Sequence, residues 1–173
     1  MALDKRFETI VIGAAWNWYF FSRSYVYIND GKAIPLSSRA GRDAAINRLG
    51  ERIRALIKAQ KRVVLVLDNP ISSLQNLNSI GKSLRLSFSV KSPPPNSAIR
   101  VDEKQLALNR QLLGLAKRTG AIVINPFSVV CTETICRVTD ETGRPIYKDN
   151  GHFNPDWLID HGDFMDIATA TNR

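Results

Sequence analysis

Near the C-terminal end of the sequence, Asp149 stands three residues before His152, within Tyr147-Lys148-Asp149-Asn150-Gly151-His152-Phe153. A carboxylate beside an imidazole is the orienting and proton-accepting half of a catalytic triad. The acid selects the ring tautomer and stabilises the imidazolium, while the imidazole takes a proton from a nucleophile. The chain has only two histidines, His152 and His161, so few residues could take the base role. The plain alternative is a turn in which Asp149 accepts backbone donors beside an exposed ring. The nucleophile is harder to find. Ser22, Ser24, Ser37, Ser38, Ser72 and Ser73 qualify only by type, since none lies in the Gly-x-Ser turn that presents a reactive serine at a strand end. Ser37 and Ser38 read as helix caps.

Cys131 and Cys136 have four residues between them. They could close a small disulfide loop in an oxidising compartment, remain thiols, or, third in order, join a zinc site. The histidines stand nine apart, unlike the usual ligand spacing, so no metal site and no cofactor is expected. Gly81-Lys82-Ser83 does not form a phosphate loop, because Asn76 stands where the leading glycine belongs. The net charge is +8 and the pI about 9.8. Arg39, Arg42, Arg48, Arg52, Arg54, Lys58, Lys61 and Arg62 fall along one predicted helix and its exit. A basic stripe can bind nucleic acid, an anionic membrane or an acidic glycan. No nucleic-acid motif accompanies it, so a solvated helix face is the better reading and nucleic acid is not the expected partner.

The elements that must position these residues follow from pattern. Phe7–Gly13 is a short β-branched strand ended by glycine. Ala14–Tyr27 is an aromatic-rich loop leading into a helix or surface segment. In it, Trp16, Trp18, Tyr19, Phe20 and Phe21 line the core or a cleft. Ser37 or Ser38 caps a helix to about Gln60, with Ile46, Leu49, Ile53, Leu56 and Ile57 as its inner stripe. Lys61–Asp68 reads as a central parallel strand, apolar on both faces. Residues 71–101, with Ser92-Pro93-Pro94-Pro95, read as a long irregular insertion or lid. Asp102 opens a second helix with Gln105 in capping-box position. Its inner face is Leu106, Leu112, Leu113 and Ala116, and Gly120 ends it. Ala121–Asn125 is a third strand, and a last helix starts near Pro155. Alternating strands and helices make a single layered α/β domain with a parallel sheet. Ligands on such sheets sit at the strand C-terminal ends, where Ala14–Trp18, Asp68–Pro70 and the segment from Pro126 all fall. Asp68 and Asn69 could line a pocket there or shape the turn into Pro70. The chain has no signal-peptide pattern and no apolar run long enough to span a bilayer.

The order of a strand ending in Ala14-Ala15-Trp16, a strand ending near Asn69-Pro70, a cysteine loop, and Gly143-Arg144-Pro145-Ile146-Tyr147-Lys148-Asp149-Asn150-Gly151-His152-Phe153 resembles the SGNH hydrolase-like domain. More narrowly, it resembles the form fused to membrane acyltransferase type 3 proteins that O-acetylate cell-surface polysaccharides. The resemblance covers nearly the whole chain. It implies a three-layer, flavodoxin-like parallel sheet, with the chain beginning one or two strands into the domain. It also implies that Asp149 and His152 are the triad acid and base. Cys131 and Cys136 match a pair that forms a disulfide in that subfamily, which works on the extracytoplasmic side, tethered to the inner membrane. The implied partners are an acylated cell-surface glycan or acyl donor and a membrane acyltransferase domain. The family nucleophile lies in a Gly-Asp-Ser block that this sequence lacks. Gly162-Asp163 runs on into Phe164. Ala14-Ala15-Trp16-Asn17 stands where the family offers a Gly-x-Asn-Asp block, making the Trp16 backbone and Asn17 the oxyanion or pocket candidates. Two expectations follow: a domain of a serine O-acyltransferase or acetylesterase whose Ser block lies upstream of this start, or a catalytically inactive remnant or glycan-binding module.

Overall fold

The computed structural model describes residues 4, 6–70, 94–149 and 151–170. In chain order the elements are strand β1 (Thr9–Gly13), helix α1 (Trp16–Phe21), strands β2 (Val26–Asn29) and β3 (Lys32–Pro35), helix α2 (Arg39–Lys58), strand β4 (Arg62–Val66), strand β5 (Ala98–Arg100), helix α3 (Glu103–Thr119), strand β6 (Ile122–Ile124), helix α4 (Phe127–Val130), strands β7 (Cys131–Thr132) and β8 (Ile135–Arg137), helix α5 (Pro155–His161) and a 3-10 helix (Gly162–Ala168). They group into two compact units. The first spans Met1–Asp68, Leu108–Ile124 and Ala168–Arg173, and the second spans Asn69–Ala107 and Asn125–Ile167.

The first unit is built on a parallel sheet in the order β1-β4-β6. Thr9 pairs with Arg62 and Gly13 with Val66, while Val64 pairs with Ile122. The apolar run of β4 puts Val63 and Leu65 on one face. Those residues pack with Leu67, with Ile46 and Ile53 of α2, with Leu112, Leu115 and Ala116 of α3, and with Trp16 and Phe20 of α1. A mixed α/β fold on a parallel sheet is thus present as the alternation of strand and helix patterns predicts. Helix α2 starts where expected because Ser38 accepts from Gly41 N at 3.0 Å as its cap. A Cβ on Gly41 would run into the Pro35 carbonyl oxygen, so this glycine permits the close approach of α2 to the end of β3. The segment read as an aromatic loop contains α1 and the start of β2, the first strand of a β2–β3 hairpin. The hairpin turns at Asp30 and Gly31, both at positive φ.

The second unit holds an antiparallel sheet in the order β5-β8-β7. The segment 71–101 behaves as irregular chain only in part of its described length, because Ala98–Arg100 is a strand paired with Ile135–Arg137. A three-residue strand is too short to show periodicity. Residues 71–93, which include Ser72, Ser73, Asn76, Gly81-Lys82-Ser83 and most of the expected lid, lie outside the described residues. Asp102 Oδ1 accepts from Lys104 N at 2.7 Å at the start of α3. The second unit has two apolar clusters. One gathers Val130, Val138, Ile146, Tyr147, Phe153 and Trp157, and the other Val101, Leu106, Phe127 and Cys136. Cys131 and Cys136 face each other across β7 and β8 and are joined by a disulfide.

Candidate functional site

The loop bearing Asp149 and His152 is closed by backbone pairing at both ends. Tyr147 and Phe153 form an antiparallel bridge, and Lys148 N donates to His152 O at 2.9 Å. Beneath it, Asn154 N donates to Ile146 O and Ile146 N to Val138 O. The Tyr147, Phe153 and Trp157 rings pack in sequence at a tilt, with successive centroids 5.1 Å apart. The alternation of buried Ile146, Tyr147 and Phe153 with polar Lys148, Asp149 and His152 therefore pins the ends of the loop into an apolar cluster and presents its tip to solvent.

At the tip, Asp149 Oδ1 accepts from Gly151 N at 3.0 Å and from His152 N at 2.9 Å. The same carboxylate straddles the imidazole, with Nδ1 2.8 Å from Oδ1 and 2.9 Å from Oδ2. Burial pushes the Asp149 carboxyl up, but the Gly151 backbone, the His152 ring and the His152 backbone outweigh it and hold it below its ordinary value. An ionised carboxylate only accepts, so Nδ1 carries the proton facing it and Nε2 of the neutral ring keeps its lone pair. The His152 side chain is 80 % exposed, so that lone pair is open to a partner. Asn69 adds a further anchor that sequence pattern does not reveal. Its Nδ2 donates to the Gly151 carbonyl at 2.7 Å, and its own carbonyl accepts from Gln105 Nε2 at 2.9 Å. The only sequence signal was its place after a buried strand and before Pro70.

In the first unit, the other candidate residues form a separate cluster at the C-terminal ends of β1 and β4. Asp68 accepts from Trp16 N at 3.0 Å, Asn17 N at 2.6 Å and Asn17 Nδ2 at 2.8 Å. Trp16 is buried and its indole donates to the Val66 carbonyl at 2.8 Å. Burial raises the Asp68 carboxyl above its ordinary value against the pull of the donors from Asn17 and Trp16. Asn17 Oδ1 is buried with no hydrogen-bond partner. The backbone and side-chain N–H groups considered as oxyanion donors are thus held by Asp68 in this structure.

His161 stacks on Trp157 with centroids 4.7 Å apart, and its Nδ1 lies 3.0 Å from the Trp157 carbonyl. Asp140, buried on the neighbouring turn, accepts from Thr142 N, Thr142 Oγ1, Arg144 N and Arg144 Nε. It organises the Gly143-Arg144-Pro145 turn that leads into the loop. Among the described serines, the Ser38, Ser97 and Ser128 hydroxyls donate to backbone carbonyls.

The family model for the SGNH domain (fused to AT3 domains) matches residues 1–157. This chain belongs to that family. Membership makes it a hydrolase- or acyltransferase-like domain of the kind joined to a membrane acyltransferase domain. It agrees with the parallel α/β sheet. No curated protein matches the sequence. No helix among the described residues is long and apolar enough to cross a membrane.

Proposed function

We propose that this SGNH domain serves a serine O-acyltransferase or acetylesterase acting on acyl groups of cell-surface polysaccharide, with Asp149 as acid and His152 as base. One observation carries the reading: the Asp149 carboxylate straddles Nδ1 of His152, whose side chain is 80 % exposed. In the reaction, Nε2 removes the proton of a serine hydroxyl as its oxygen attacks the acyl carbonyl. It then returns that proton to the leaving oxygen, and Asp149 stabilises the imidazolium between the two steps. The sequence contains no Gly-Asp-Ser, so the nucleophile is supplied from outside residues 1–173. Trp16 and Asn17 are proposed as pocket residues held in place by Asp68.

The test compares the reading frame upstream of Met1 with two assays. An in-frame Gly-Asp-Ser supports the reading. In the gene's own context, His152→Ala should lower envelope-glycan acetyl ester formation by about 10⁴-fold or more, the usual scale for losing a triad base. Unchanged acetylation in His152→Ala would refute the assignment. A fluorophosphonate should leave the isolated chain unlabelled, and a labelled serine within residues 1–173 would overturn the external nucleophile. The lack of Gly-Asp-Ser also favours a second reading, a non-catalytic glycan-binding module. Glycan binding by the isolated chain, together with acetylation indifferent to His152, would select that reading.

A further inference from the structure

The β2–β3 hairpin has an apolar face that is largely exposed among the described residues. Opposite residues of an antiparallel pair point to the same side. The register Val26↔Pro35 and Ile28↔Ala33 therefore puts these four apolar residues on one face, and Tyr27↔Ile34 on the other. The Tyr27 and Ile34 face looks onto α2, where it lines a groove with Ala44, Asn47 and Arg48, and Ile28 borders the same groove. The other face looks outward, with Ile28 60 % and Val26 46 % exposed and Ala33 and Pro35 exposed beside them. A two-stranded ribbon is at best marginal alone and normally hides its apolar side, so an outward face made wholly of apolar residues needs a reason.

The root of the hairpin carries aromatics of a particular kind. Trp18 is 66 % and Tyr19 40 % exposed. Trp18 Nε1 donates to Tyr25 Oη at 3.1 Å, and Tyr19 meets the Tyr25 ring edge-on at 4.8 Å. Trp and Tyr join an apolar body to a polar tip and gather where hydrocarbon meets water. Charge points the same way. Residues 14–43 carry Arg23, Lys32, Arg39 and Arg42 against Asp30 and Asp43; Arg39 lies 3.6 Å from Asp43, while Arg23 and Lys32 are exposed. Arg42 lies over the Phe21 ring and bonds the Ser37 carbonyl, fixing a cation between α1 and the start of α2. Cations beside an apolar face attract anionic headgroups. The family also occurs fused to a membrane acyltransferase domain.

We infer that this hairpin is a bilayer-resting surface. Val26, Ile28, Ala33 and Pro35 enter the headgroup boundary of an anionic membrane, Trp18 and Tyr19 sit at its polar edge, and Arg23 and Lys32 pair with phosphates. The inference stands independently of the acyl-transfer reading.

The test uses the full chain with phosphatidylcholine vesicles, with and without phosphatidylglycerol, followed by co-sedimentation and tryptophan emission. The expected result is partition to the anionic vesicles with a blue shift that Trp18→Ala diminishes. The Val26→Ser/Ile28→Ser variant should lose about tenfold or more in partition, as expected for withdrawing two aliphatic side chains from hydrocarbon. Its urea midpoint should fall only slightly, since about half of each side chain is already exposed. Ile28→Ser alone gives a second variant should the double one fold poorly. Partition that is lost in salt but unaffected by the serine variants would assign binding to basic charge alone and overturn the inference. So would vesicle binding at background level, whether or not the patch instead mediates self-association or contact with the acyltransferase domain.

Discussion

Asp68 clamps the N-terminal end of α1, so replacing it with alanine should unfasten the segment carrying Trp16 and Asn17. Three donors converge on its carboxylate at 3.0, 2.6 and 2.8 Å. A hydrogen bond to a charged acceptor nets about 1.5–3 kcal/mol, so the three contribute on the order of 5–9 kcal/mol before the cost of burying the charge. That cost is substantial, because burial outweighs all three donors in moving the carboxyl above its ordinary value. Alanine removes both terms but leaves Asn17 N and Nδ2 short of an acceptor in a part-buried place. Trp16 N retains the Ala14 carbonyl at 2.9 Å. The net loss for Asp68→Ala should be about 3 kcal/mol, and about 1 kcal/mol for Asp68→Asn, which keeps one acceptor oxygen. With a urea slope of about 2 kcal/mol per molar, the alanine variant's midpoint falls by about 1.5 M, followed by circular dichroism and tryptophan emission. The pH dependence has a definite sign. A carboxyl raised in the folded state binds more protons folded than unfolded. Stability therefore falls as pH rises from the ordinary 3.8 to the raised value, and is flat above it. Asp68→Asn should lack that slope. A loss below ~0.5 kcal/mol in Asp68→Ala would mean that water satisfies the donors and that the clamp holds nothing. Wild-type stability rising with pH relative to Asp68→Asn would show that the donors outweigh burial.

Asp140 should behave oppositely. Burial raises its carboxyl, but the Thr142 and Arg144 donors outweigh it and hold it well below 3.8. The stability it contributes is full above 3.8 and is lost as pH falls through the lowered value, so acid unfolding of Asp140→Asn should lack that part of the wild-type slope. Asn69→Ala should free the Gly151 carbonyl at a cost of about 1 kcal/mol. Amide exchange at Gly151 and His152 should then accelerate, while the imidazole 15N shifts keep reporting a proton on Nδ1. Unchanged exchange would mean that Asn69 does not restrain the loop. Thiol titration of the unreduced protein should find no free cysteine, and two after reduction. Cys131→Ser/Cys136→Ser should cost about 2 kcal/mol, the scale for so short a closed loop. Two reactive thiols before reduction would contradict the pairing.

The local signals were strong where one element carries its own pattern. The apolar run Val63–Leu67 reads as a central strand because every residue in it is apolar, and helix α2 reads from Ser37 or Ser38 as its cap and the spacing of Ile46 and Ile53. The Asp149 and His152 pair was legible because both residues sit in one short loop, and their hydrogen bond needs only three residues of separation. The aromatic segment was less legible. Alternation in Val26–Asn29 is too brief to separate a strand from a loop, and the hairpin depends on positive φ at Asp30 and Gly31. Strand β5 escaped for the same reason of length.

What the sequence determined by itself is local: which residues repeat at strand or helix spacing, which acid can reach which base within a loop, and, through that motif, the family. What only the tertiary structure decided is every partnership closed over distance. Asp68 meets Asn17 across 51 residues, and Asn69 meets Gly151 across 82. A hydrogen bond constrains the position of its two ends and leaves the intervening sequence free, so no spacing rule encodes it. It forms only after the sheet and the cores around it have brought both ends together.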